Sequence, residues 1–147
     1  MKILRILLPL LTFTLGSLPH AAHAASPIRT PAAGTPERKS IMDALRVPVQ
    51  ADLHQSVIFK VTDLRVTDQW AFLNGEPMRA DGSKVDYRKT RYQEQIDMGF
   101  FDRGISALLK KTQGQWQVVK YSIGHTDVIY DGWDREYGVP RSVLGLR

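Results

Sequence analysis

Residues 35–66 read TPERKSIMDALRVPVQADLHQSVIFKVTDLRV, and within this stretch the apolar spacing changes from every fourth position to every second. Ile41, Leu45, Val49 and Leu53 recur at intervals of four, with Met42 alongside, which places one apolar stripe on an amphipathic helix. Thr35 has the side chain to cap that helix. Pro36 and Glu37 suit its first turn, where amides are unpaired and the helix dipole favours an anion. Pro48 removes a backbone donor inside the stripe, so a kink or brief break is expected near residues 44–45. After His54, Val57, Phe59 and Val61 alternate with Ile58, Lys60 and Thr62, the period of a strand. Leu64 and Val66 resume the alternation after a one-residue phase shift at Asp63, as a β-bulge would produce.

Downstream, Asp68 turns the chain into a second strand over residues 70–76, which forms a meander with the first. Residues 78–97 are long, polar and rich in charge, with Asp81-Gly82-Ser83 as a turn signal, and are expected to leave the compact core. Strands over 104–111 and 116–123, joined by TQGQ, read as a β-hairpin. In the tail, residues 126–138, Ile129, Trp133 and Tyr137 share one helical face, and Asp127 has the side chain to cap that helix. Pro140 stops it, and the SVLG that follows supplies a last apolar contact. The fold class expected is α+β: an N-terminal helix packed on a four-stranded antiparallel sheet, with a short C-terminal helical tail.

Upstream, residues 1–24 have the three parts of a cleavable signal peptide. Lys2 and Arg5 precede an apolar run too short to span a bilayer, and Ala22-His23-Ala24 offers small residues for cleavage after Ala24. The expected product is periplasmic or secreted and has no membrane span after cleavage. Residues 25–34, rich in Pro and Ala, read as a flexible lead into a single domain over 35–147. Cleavage takes two of the 20 basic residues and none of the 15 acidic ones, so the net charge falls from +5 to +3. That mild balance gives no reason to expect nucleic acid as a partner. The chain has no Cys, which excludes disulfides, thiolate nucleophiles and Cys-based metal sites.

Only His54 and His125 remain after signal removal, too few nitrogen ligands for a transition-metal centre, and no cofactor motif is present. Ser122 lies near His125 in sequence, but no nucleophile elbow surrounds it, so no catalytic residue is assigned. Two segments hold candidate binding residues. The tail concentrates Tyr130, Asp131, Trp133, Asp134, Arg135 and Tyr137, where carboxylates beside aromatics suit a sugar ring or a cationic group. If those aromatics instead pin the tail, Trp133 is core. Residues 78–97 carry Arg88 and Arg91 near Tyr87 and Tyr92, a pattern fit for an acidic partner or an anionic cell-wall polymer. An acid–base pair of Asp63 or Asp102 with Arg103 is a further expectation.

The stretches PERKSIMDALR, WAFLNGEP, GQWQVVKYSIGHTDV and GWDREYGVP resemble a group of small, functionally uncharacterised exported bacterial proteins of envelope type. The resemblance implies export and transfers no ligand or catalytic residue. The order of elements is similar to that of cystatin-like and nuclear-transport-factor-like domains, in which a bent sheet wraps a helix and which serve inhibitors, isomerases and plain binding modules alike. The functional expectation is an exported envelope binding module, with another envelope protein, as inhibitor or immunity-type partner, or a cell-wall polymer as its target. The alternative is a small-ligand enzyme or carrier with a concave pocket and an Asp acid–base group.

Overall fold

The computed structural model describes residues 26–147, and the expected signal segment and its cleavage site lie outside them. The first element is helix α1, Pro36–Leu53, whose N-cap Thr35 accepts from the Arg38 amide at 3.4 Å. All four stripe residues, Ile41, Leu45, Val49 and Leu53, are buried. The break expected near residues 44–45 does not occur, because α1 runs through Pro48 to Leu53. Proline inside a helix costs about 3 kcal/mol. Burying Leu45 and Val49 on either side of it returns about 1.5–3 kcal/mol each, which is enough to hold the helix together.

Four antiparallel strands follow: β1 (Val57–Val66), β2 (Trp70–Arg79), β3 (Ile105–Thr112) and β4 (Gln115–Ile123), in the spatial order β1-β2-β3-β4. The bulge foreseen at Asp63 lies between Val61 and Asp63, with Thr62 as the extra residue. A second register shift, between Leu108 and Leu109 of β3, faces residues 118–120 of β4. Gln113 and Gly114 join β3 to β4, both at positive φ, as the twist of a two-residue hairpin requires. Both ends of the free edge of β1 are covered. Arg46 and Gln50 of α1 hydrogen-bond the backbone of Val57 at one end, and Arg29 exchanges two backbone bonds with Val66 at the other, at 2.9 and 2.8 Å. Arg29 also pairs with Glu37 and Asp68, so the lead expected to be flexible is tied down from Ser26 onward.

Because side chains alternate across a strand, β2 serves two cores. Ala71 and Leu73 join Ile105, Ala107, Leu109 and Trp116 beneath α1. Trp70 and Phe72, with Leu108, meet Trp133, Val139, Val143 and Leu144 in a second cluster. The C-terminal tail thus covers the second face of the sheet. It contains helix α3 (Trp133–Tyr137) and helix α4 (Arg141–Leu144), the latter starting from Pro140. The single helix expected over 126–138 is corrected: Gly132 is the N-cap of α3, Asp127 is not a helix cap, and residues 126–132 run through bends into turns.

Residues 78–97 also depart from expectation. β2 extends to Arg79, Met78 bridges Lys84, and Val85, Tyr87 and Tyr92 are buried in the main core. Gln55, just past α1, holds Asp86 by two hydrogen bonds of 2.7 and 3.0 Å, and a short helix α2 (Gln93–Asp97) follows. The segment returns because its aromatics, read as surface groups, pack on Phe101, Tyr87 edge-on at 4.7 Å and Tyr92 tilted at 5.8 Å. No helix among the described residues is long and apolar enough to cross a membrane.

Candidate functional site

The tail residues singled out from the sequence do not converge on one cleft. Trp133 is 4% exposed and sits edge-on to Phe72, Tyr130 and Tyr137, so it pins the tail to the sheet. Asp134 pairs with Arg141 at 3.1 Å. The Tyr137 hydroxyl donates to Glu136, while Asp131 and Arg135 face solvent. Of this group, Tyr130 lines a cleft. Arg88 is exposed and bonded to Asp86 two residues away, which leaves its guanidinium on the surface. Arg91 reaches across to α1, where Asp52 accepts from it at 2.7 and 2.9 Å and from the Tyr92 and Tyr121 hydroxyls at 2.6 and 3.1 Å. Burial opposes ionisation of Asp52, but these donors outweigh it and hold the carboxyl below its ordinary range. That network ties the 78–97 segment to α1 and β4, so Arg91 is a structural clamp. The expected pairing of Arg103 with Asp63 or Asp102 is absent. Asp63 bridges Arg65, and Arg103 donates to the Val85 carbonyl over the Tyr87 ring.

The groups that do converge lie beside the tail, on the sheet face opposite α1. The bulge at Thr62, the Asn74-Gly75 pair on β2, the start of β3 and residues 125–130 enclose an open cleft of about 430 Å³. Gly75 is required there, since a Cβ at that position would come within 2.5 Å of the Lys60 carbonyl oxygen. Ser106, 1% exposed on β3, lies beneath the cleft. Its hydroxyl donates to Asn74 Oδ1 at 2.6 Å and lies 3.0 Å from His125 Nε2. A serine hydroxyl has one proton, so with that proton on Asn74 the imidazole donates the second bond. Nδ1 is enclosed by the protein and makes no hydrogen bond within normal distance. Burial lowers the His125 pKa below the ordinary histidine value, against the opposing pull of the Asp102 carboxylate and the Ser122 backbone.

His125 is positioned by Gly124, at φ +83° after β4, whose carbonyl accepts from the Asp102 amide at 3.2 Å. Asp102 and Asp127 supply the charge of the cleft wall, and no Lys or Arg lines it. Neither carboxylate forms an ion pair among the described residues. Among those residues no group of three or more potential ligands is arranged to hold a metal ion. The serine that meets His125 is Ser106, from the neighbouring strand, and the sequence-adjacent Ser122 is not its partner. Ser106 and Asn74 escaped the sequence reading, yet each left a sign. A hydroxyl interrupts the apolar run of β3, and an Asn-Gly pair interrupts β2, where glycine marks a close backbone approach. No protein-family model, curated protein or solved structure matches the chain.

Proposed function

We propose that this chain is an exported binding module that holds a small polar ligand in the cleft above Ser106. The observation that carries the reading is the chain Asn74–Ser106–His125. Polar side chains are seldom placed inside a sheet core unless hydrogen-bonded, and this hydrogen-bonded chain lies at the wall of a cleft. A preformed concavity with a few fixed polar groups is the usual form of a small-molecule site. A thermal-shift screen of small polar metabolites, followed by NMR of the His125 imidazole, tests it. Hits should move the His125 signals and lose their effect in Asn74→Leu. Hits that leave His125 unmoved would overturn the reading.

The inhibitor or immunity-type role is the second reading, favoured by a different observation. Phe100 (68% exposed), Val128 (54%) and Ile129 (41%) are large apolar side chains on the loops flanking the cleft. Phe100 and Ile129 line a neighbouring depression of about 310 Å³ that shares His125 and Asp127 with it. Apolar groups rimmed by polar ones are typical of protein contacts. Phe100→Asp should then abolish co-purification of an envelope partner while leaving small-ligand binding intact. Export itself rests on residues 1–24, and a secreted product whose mass corresponds to cleavage after Ala24 is the expected result.

A further inference from the structure

We infer that the face carrying Phe100, Val128 and Ile129 docks a basic protein segment, one that presents a large apolar side chain beside Lys or Arg; this rests on the second reading above, of that face as a protein contact. Phe100 stands on a fixed backbone. Gly99, at φ +77°, ends α2 by donating to the Ile96 carbonyl at 3.0 Å, and the Phe100 amide donates to the Gln95 carbonyl at 3.0 Å. An apolar residue after the glycine of such a helix end commonly packs back on the helix, yet Phe100 is 68% exposed. Val128 and Ile129 are held by turn bonds, from the Ile129 amide to Asp127 at 2.9 Å and from the Asp131 amide to Val128 at 3.0 Å. The depression of about 310 Å³ between Phe100 and Ile129 has room for one large side chain. Groups already held in place lose little freedom on binding. Charge selects the occupant. The two segments that carry these groups, residues 92–102 and 121–134, hold six carboxylates and no Lys or Arg, in a chain whose net charge is +5. Asp134 is bonded to Arg141, and the other five form no ion pair among the described residues. Arg103, next in sequence, is turned to the Val85 carbonyl and the Tyr87 ring. Any partner that covers Phe100 also covers Asp127, which lines the same depression, and a carboxylate covered without a counter-charge opposes binding. A two-fold pair of copies through this face would set like charges together, and an anionic membrane surface would be repelled. A basic segment fills the depression with its apolar side chain and matches the carboxylates with its cations.

The test selects peptides from a random dodecamer phage library on the immobilised full mature chain and measures the Kd of the enriched peptides by fluorescence polarisation. Enriched sequences should carry Lys or Arg around an aromatic or Leu residue and bind more weakly as salt is raised. Phe100→Ser should weaken them about tenfold or more, as loss of a central apolar anchor does. Asp102→Asn and Asp127→Asn should each weaken them roughly twofold to fivefold, the scale of an exposed ion pair, while Asp81→Asn, on a separate turn, leaves Kd unchanged. Circular dichroism of each variant separates loss of binding from loss of fold. If the enriched peptides depend on Phe100 but are neutral or acidic, the charge assignment is overturned and the contact face stands. If no peptide is enriched, or none depends on Phe100, both fall. Sedimentation of the chain alone should show a monomer; a dimer lost in Phe100→Ser would make a second copy the occupant and overturn the basic partner.

Discussion

Replacing Trp133 by Ala tests whether the tail is a structural layer. The indole is 4% exposed, with ring centroids 6.5 Å from Phe72 and 6.3 Å from both Tyr130 and Tyr137. Truncation removes roughly 150–200 Å² of buried apolar surface, worth about 4–5 kcal/mol at ~25 cal/mol/Å². A compact denatured chain already hides part of that surface, which brings the expected loss to about 3–4 kcal/mol, inside the range measured for large buried aromatics. For a domain of this size that corresponds to a fall in Tm of roughly 10–15 °C. Urea titration followed by the fluorescence of Trp70 and Trp116, with thermal circular dichroism alongside, measures it. A loss below about 1 kcal/mol would refute the reasoning. So would a fully stable variant that had lost ligand binding, because Trp133 would then belong to a site.

The remaining predictions concern the clamp, the turn before His125 and the pH limits. Asp52→Ala strands the Tyr92 and Tyr121 hydroxyls and frees Arg91, and should cost about 1–3 kcal/mol in a chemical denaturation curve; no change would mean that the clamp is decorative. Gly124→Ala would put a Cβ within 2.3 Å of Phe101 Cε2 at a backbone φ of +83°. It should destabilise the fold by at least ~2 kcal/mol and displace the His125 resonances. Because the His125 pKa is lowered in the fold, its contribution to stability is complete above the unfolded value of ~6.5 and is lost as pH falls through the folded value. Acid destabilisation should therefore begin below pH ~6.5 and be smaller in His125→Gln. On the alkaline side burial raises Tyr87 to about 12 and also raises Tyr92 and Tyr121, so stability should decline above the unfolded tyrosine value of ~10. Phenolate absorbance from these three rings should appear together with unfolding, and its appearance in a still-folded variant carrying Tyr130→Phe and Tyr137→Phe would contradict their burial.

Local patterns were legible where one face of an element repeats. The stripe of α1 and the phase shift in β1 could be read because 3.6- and 2-residue periods are properties of the chain itself. The paired strands β3 and β4 followed from alternation and turn chemistry in the same way. Polar composition, by contrast, misled at residues 78–97, because Arg79, Lys84 and Arg88 surround the buried Val85, Tyr87 and Tyr92 and mask them in any average. The tail aromatics were visible as a cluster, but whether they lined a cleft or pinned a helix depended on what the second face of the sheet offered. It offered Trp70, Phe72 and Leu108.

The sequence by itself determined the α+β order of elements, the core face of the first helix, the absence of thiol chemistry and the expectation of an export leader. Each of these depends on residues close together in the chain. The site was decided by tertiary structure alone. Asn74, Ser106 and His125 lie on three separate segments and meet only because β2 and β3 pair in one register, which sets Asn74 opposite Ser106, and because Gly124 turns the chain back over β3. A shift of one residue in that pairing would send Ser106 to the other face of the sheet.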